Sequence, residues 1–219
     1  MKVKLISYSK APDDLELFDC QELIAFCARV SNPANQMNHE TSGKLIKYLI
    51  KHKHWSPLEM VSACLEIETT RDIAHQIVRH RSFSFQEFSQ RYAKPTDMEE
   101  SFTYREARLQ DPSNRQNSIE FHDVELEMAW GNRQKAIIKQ AKETYDWAIA
   151  QGIAKEQARV VLPEGLTVTK LYMNGTLRSW VHYIELRGAN GTQKEHMEIA
   201  RECAKAITKI FPLIKELDV

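Results

Sequence analysis

Glycine is scarce: seven occur in 219 residues, and none falls into a Gly-x-Gly-x-x-Gly or Gly-x-x-x-x-Gly-Lys-Ser/Thr pattern. Those patterns let backbone N–H groups cradle phosphates. A chain without them that binds nucleotides must use side chains, and arginine suits the task because its planar fork meets a phosphate bidentately. Net charge is lacking too, since Lys+Arg and Asp+Glu are both 30. Proteins that grip nucleic acid through its phosphates usually carry a basic excess, so no polynucleotide partner is expected and any cationic function is local. No apolar run approaches the roughly 20 residues of a membrane-spanning helix, so no membrane partner is expected. The N-terminus, Met1 to Ser7, alternates like a strand and lacks the form of a signal peptide. The cysteines, Cys20, Cys27, Cys64 and Cys203, include no Cys-x-x-Cys pair. They read as buried free thiols in a reducing, cytoplasmic setting. His52 and His54 have no partners at zinc spacing, so no metal is expected.

What is present describes an ordinary soluble protein. The 42% hydrophobic and 27% charged residues supply one core, and the length suits a single domain over residues 1–219. Val3 to Tyr8 reads as a strand. Asp19 to Val30 reads as a helix with Leu23, Ile24, Cys27 and Val30 on one face. Thr41 to His52 is a second helix, with Thr41 or Ser42 as N-cap. Val61 to Thr70 alternates with period two, as a strand does. A helix opening at Thr70-Arg71-Asp72 runs into Arg79-His80-Arg81. Lys94 to Asn117 is polar, holds Pro95 and Pro112, and reads as a connector. Ser118 to Gln151 is a long helix capped by Ser118, its inner face Ala129, Ala136, Ile137, Ala141, Tyr145, Ala148 and Ile149. A short helix over Glu156 to Val161, a strand in Leu166 to Met173, and helices over 176–186 and 192–211 complete an α+β pattern of long helices about a mixed or antiparallel sheet.

The chemistry concentrates between Arg79 and Tyr92. On local physics alone, Arg79, His80 and Arg81 are cations completing a helix C-terminus. Consecutive helical residues splay by about 100°, however, so three in a row cannot all face solvent, and one is expected to aim inward or at a ligand. Ser89 has no Ser-x-x-Lys or nucleophile-elbow context and reads as a hydrogen-bonding residue rather than a nucleophile. His39, His122 and His196 read as surface residues. Trp55, Trp130, Trp147 and Trp180 read as core or interface, and Phe83, Phe85 and Phe88 as packing beneath the loop.

Arg79-His80-Arg81, seven residues and then Ser89, followed by Gln90-Arg91-Tyr92, resembles the signature of the flavin-dependent thymidylate synthases. Further similar segments follow in that family's order: Ala28-Arg29-Val30-Ser31, His52-Lys53-His54-Trp55-Ser56-Pro57, Ala158-Arg159-Val160-Val161-Leu162-Pro163, and Asn174-Gly175-Thr176-Leu177-Arg178-Ser179 through Leu186-Arg187. The resemblance implies a fold of that family's type. It also implies reductive methylation of dUMP to dTMP, with FAD as cofactor and NADPH and 5,10-methylenetetrahydrofolate as co-substrates. It further implies that no cysteine nucleophile is involved and that the active sites are shared within a homotetramer.

Roles follow from the resemblance residue by residue. Ser56, Arg79, His80, Arg81, Glu87, Thr176, Arg178 and His182 match FAD-site positions, although some members have Asn where this chain has His182. Gln76, Arg79, Glu87, Ser89, Arg91, Arg159 and Arg187 match dUMP-site positions. His54 matches a histidine near flavin and substrate. Arg91 and Arg159 would neutralise the phosphate of dUMP. Arg187 would be catalytic, stabilising the anion that develops on the uracil without surrendering its own proton.

Overall fold

The fold is α+β. A computed structural model describes residues 1–98, 100–189 and 191–216. The main sheet has the order β1-β2-β6-β3, with β1 at Lys2–Tyr8, β2 at Ser62–Thr70, β3 at Ser84–Glu87 and β6 at Val168–Thr176. Side chains alternate across a strand, and in β2 that alternation buries Ala63, Leu65 and Ile67. The chain divides into two units: 1–67, 80–85 and 172–219 form one, and 68–79 with 86–171 form the other. β2, β3 and β6 each contribute residues to both. No helix among the described residues is long and apolar enough to cross a membrane.

The first unit holds α1 (Cys20–Ala28) and α2 (Ser42–Lys51). Asp19 caps α1, its Oδ1 accepting the Glu22 N–H at 2.8 Å. The helix stops before Val30, which is 70% exposed and not on the buried face expected of it. The reason is Arg29. Its guanidinium turns inward and donates to the Asn38 carbonyl at 2.6 Å and to Thr41 Oγ1 at 2.8 Å. Thr41 stands at the N-cap position of α2 but makes no side-chain cap. Two later helices complete the unit: α6 (Leu177–Gly188) and α7 (Lys194–Thr208). Thr176 Oγ1 caps α6 by accepting the Ser179 N–H at 3.3 Å. Trp180 is wholly buried, and its indole N–H donates to the Ala63 carbonyl at 3.0 Å. The buried face of α7 includes His196, Ile199, Ala200 and Cys203. That spacing is a helical stripe, so His196 lies in the core and not on the surface.

The second unit contains α3 (Arg71–Ile77), β4 (Arg108–Gln110), β5 (Ser118–Glu120), α4 (Val124–Ala150) and α5 (Lys155–Ala158). The long helix therefore starts later than its pattern suggested. Ser118 opens β5, which pairs antiparallel with β4, and Asp123 is the cap, accepting the Leu126 N–H at 3.0 Å. The segment expected as a plain connector is organised. Its loop winds around Asp111, whose carboxylate accepts from Ser113, Asn114 and Asn117 and is held down to about 2 by the Ser113 hydroxyl first and those other bonds after it.

The buried face of α4 is Gln134, Ala141, Tyr145 and Ala148, whereas Ala129 and Ala136 are exposed and Ile137 is 50% exposed. Gln134 can sit in the core because its amide serves both backbone groups of Arg105. Oε1 accepts the Arg105 N–H at 2.8 Å, and Nε2 donates to the Arg105 carbonyl at 2.9 Å. A buried polar side chain is tolerated when its bonds are made. Farther along α4, Tyr145 and Ala148 cluster with Ala158 and Leu162, with Phe102 and Ile149 packed against them.

Candidate active site

α3 ends at Ile77, with the Val78 N–H donating to the Ala74 carbonyl at 2.9 Å. Arg79, His80 and Arg81 therefore lie beyond the helix, in the turn that feeds β3 at Ser84. The expected splay of three helical residues does not arise. The turn itself, closed by the Phe83 N–H on the His80 carbonyl at 3.3 Å, separates the side chains: Arg79 and Arg81 are exposed, and His80 is half-buried.

In the first unit the turn is anchored by Phe83. Its ring meets Trp180 edge-on at 4.8 Å and fills the space where Gly175 has no side chain. His80 is set by three neighbours. Its Nε2 accepts the Arg187 Nε–H at 3.0 Å. Its ring stands edge-on to Tyr183 at 4.9 Å, and the His196 ring lies at 6.4 Å. His196 Nε2 and the Tyr183 hydroxyl are bonded at 3.1 Å.

Burial, with the Arg187 charge behind it, lowers the pKa of His80. Burial first, then Arg187 and His80, pushes His196 down to about 3. Burial also holds the Tyr183 hydroxyl well above its usual value. An N–H donor facing Nε2 requires the lone pair there, so His80 is neutral with its proton on Nδ1.

A second cluster in the same unit surrounds the start of α6. The 3-10 turn Ser56–Met60 brings Glu59 into an ion pair with Arg178, and Trp55 packs edge-on against His182 at 4.6 Å. Ser56 is exposed at the head of that turn, and Thr176 caps the helix that carries Arg178 and His182. His54 is exposed, 6.3 Å from the Tyr48 ring, and follows Lys53, whose φ is 58°.

The second unit holds Gln76, Arg79, Glu87, Ser89, Arg91 and Arg159. Glu87 is fixed by Arg71 Nη1 at 3.1 Å and Thr169 Oγ1 at 2.9 Å, both donating to Oε1. Ser89 Oγ accepts the Arg91 N–H at 3.4 Å. Arg91 pairs through Nε with Glu156 at 3.3 Å and lines a cleft of about 210 Å³ with Tyr92, Ala154, Lys155 and Glu156. Arg159 is half-buried in the turn after α5, and Gln76 is half-buried on α3. Thus His54, Ser56, His80, Arg81, Thr176, Arg178, His182 and Arg187 belong to one unit and the remaining six to the other.

Tyr183, Glu59 and Arg71 carry no site expectation from the sequence and His196 reads there as a surface residue, yet each bonds or pairs within these clusters. The stripe His196-Ile199-Ala200-Cys203 was the available signal for His196. For Glu59 and Arg71 there was none, because their partners are distant in sequence. Among the described residues no group of three or more His, Cys, Asp or Glu is arranged to hold a metal.

Known proteins share both sequence and fold. Residues 15–213 match the family model Thy1, thymidylate synthase complementing protein. A probable flavin-dependent thymidylate synthase of Paramecium bursaria Chlorella virus 1 is 48% identical over 219 residues, covering 100% of this chain and 99% of its own. A flavin-dependent thymidylate synthase of Synechocystis sp. is 48% identical over 217 residues, with 98% and 97% covered. The crystal structure of a UMP/dUMP methylase PolB from Streptomyces cacaoi bound with 5-Br dUMP superposes with a TM-score of 0.80 at 24% identity, covering 99% of this chain and 93% of that one. With nearly the whole chain matched in sequence, fold and signature, it belongs to the flavin-dependent thymidylate synthase family.

Proposed function

We propose that this protein methylates dUMP to dTMP, with FAD as cofactor, 5,10-methylenetetrahydrofolate as one-carbon donor and NADPH as reductant. It would act as a cytoplasmic homotetramer with shared active sites, each chain working as one catalytic domain over residues 1–219. The observation that carries this reading is the bond between His80, the centre of the signature, and Arg187 at 3.0 Å. It ties the proposed flavin-facing turn to the proposed substrate-activating cation within one unit.

The donor set suits the cofactor. Exposed Arg79 and Arg81, the hydroxyls of Ser56 and Thr176, and Arg178 beside Glu59 offer cations and donors to a phosphate-bearing anion, where a glycine-rich cradle is lacking. By the resemblance, His182, here edge-on to Trp55, and His54 also take cofactor-side roles, as does Glu87 of the other unit. When bound, FAD supplies hydride chemistry that no side chain can provide.

The chain's own residues bind and polarise. Arg91 and Arg159 neutralise the dUMP phosphate, Arg91 being steadied through Nε by Glu156. Ser89 and Gln76 hydrogen-bond the nucleotide. Both bonds to Glu87 end on Oε1, so Oε2 retains acceptor capacity for a ligand. Arg187 has its Nε engaged by His80, which leaves the two Nη nitrogens as its donors toward the uracil. There a guanidinium stabilises developing negative charge and stays protonated.

The cysteines support a route without a thiolate nucleophile. Burial raises the pKa of Cys20 to about 11, and raises those of Cys27, Cys64 and Cys203. The test is the visible spectrum of the purified protein before and after anaerobic NADPH, followed by a dTMP assay. A flavin band that bleaches, with dTMP formed from dUMP and methylenetetrahydrofolate, is expected. Failure to bind FAD overturns the assignment.

A further inference from the structure

Tyr183 and His196 are polar groups in the core that the proposed chemistry does not use. Tyr183 is 1% exposed and His196 is fully buried. A phenylalanine and a leucine would fill similar space without burying a hydroxyl and an imidazole, whose desolvation hydrogen bonds must offset. What the bonded pair supplies beyond apolar packing is a fixed orientation. What it orients is visible: Tyr183 lies one helical turn before Arg187 on α6, and its ring stands perpendicular to the His80 ring, centroids 4.9 Å apart at 86°. We propose that Tyr183 and His196 are positioning residues for Arg187, holding His80 in the neutral Nδ1–H form that accepts the Arg187 Nε–H. This rests on the role given to Arg187 above.

The linkage is mechanical and electrostatic. The bond from His196 to the Tyr183 hydroxyl stops the phenol from shifting in its slot, and the phenol ring, packed perpendicular to the imidazole, stops it from tilting away from Arg187. Any proton gained by His80 would remove the acceptor at Nε2 and set two cations face to face. The titratable and charged groups around His80 are Arg187 and Tyr183 on α6 and His196 on α7. Cys203 on α7 bears electrostatically on Tyr183, and Glu195, next to His196, takes a bond from Gln193 at 2.9 Å. Arg187 is the fixed cation bearing on both histidines, and it disfavours a proton on either.

The variants are Tyr183→Phe, which keeps the ring and removes the bond, His196→Leu, which removes it from the other side, and His196→Gln, whose amide reaches the place of the imidazole Nε2. Each is assayed as the flavin-loaded enzyme. Tyr183→Phe and His196→Leu should keep the flavin spectrum and lose roughly tenfold or more in kcat with little change in KM for dUMP. Their acidic limb should move to higher pH, and His196→Gln should recover most of the loss. Unchanged kcat and an unchanged acidic limb in flavin-loaded Tyr183→Phe overturn the proposal, whether or not His196→Leu folds. Imidazole 15N spectra judge the same point without turnover. Wild type should show His80 as the neutral Nδ1–H tautomer, and Tyr183→Phe a mixture that protonates at higher pH. An Nε2–H tautomer in wild type refutes the positioning role even in an active enzyme. Wild-type protein that shows the expected spectrum but makes no dTMP refutes the proposed function instead.

Discussion

Gly175→Ala tests the packing that anchors the signature turn. A Cβ added at Gly175 would lie 2.4 Å from Phe83 Cδ1, 2.6 Å from Cε1 and 3.2 Å from Cγ. Carbon atoms pack at about 3.5–4.0 Å, so the ring or the strand must shift by about 1 Å. The ring has little room: Phe83 is 9% exposed and is confined by Trp180 at 4.8 Å, Tyr183 at 6.0 Å and Phe85 at 6.2 Å. Overpacking of this kind costs about 1–3 kcal/mol. In a chain of this size each kcal/mol moves Tm by about 2–4 °C, so a fall of about 2–12 °C is expected. The assay is thermal unfolding by circular dichroism for wild type, Gly175→Ala, Phe83→Ala and the double variant. With the ring gone, the added methyl should cost almost nothing, leaving a coupling of about 0.5–3 kcal/mol. The reasoning is refuted by a Tm for Gly175→Ala within about a degree of wild type. An equal loss in the Phe83→Ala background refutes it as well.

Arg187→Ala should retain flavin but lose about 10²–10³ in kcat, as expected when a donor to developing charge is removed; steady-state dTMP formation measures this, and normal turnover contradicts the role. Gln134→Leu removes the amide that serves the Arg105 N–H and carbonyl and should cost about 1–3 kcal/mol in urea unfolding; unchanged stability would contradict that role. His196 has a folded pKa of about 3 against 6.5 in the unfolded chain. The unfolded state therefore binds the proton first, and the contribution of His196 to stability is complete above pH 6.5 and lost as the pH falls toward 3. Between pH 7 and 5 this should cost up to about 2 kcal/mol. Urea unfolding at both pH values should show that loss diminished in His196→Leu, and an identical loss in that variant would count against it.

Much of the architecture was legible because it is local. Period-two burial in β2, helical periodicity and the Pro breaks located most elements, and the α+β class followed. The errors have identifiable causes. Ser118 looked like a helix cap, but pairing with β4 claimed it for a strand, and Asp123 took the cap. Val30 continued the apolar pattern of α1, yet Arg29 turned inward and ended the helix. Gln134 carries no apolar signal and is buried only because the Arg105 backbone, 29 residues away, meets its amide. His196 was misjudged as a surface residue although its stripe was readable, because histidine alone says little about burial.

The arginine-rich signature, the family it belongs to and the lack of a glycine cradle are properties of residue identity and spacing, and the sequence alone determined them. Tertiary structure decided that Arg79, His80 and Arg81 leave the helix and separate, that Arg187 meets His80 across 107 positions of chain, and that Tyr183 and His196 stand behind that bond. Hydrogen bonds between side chains far apart in sequence depend on how helices pack and where turns close. Neither propensity nor periodicity encodes that geometry, because both report only on neighbours within a few residues.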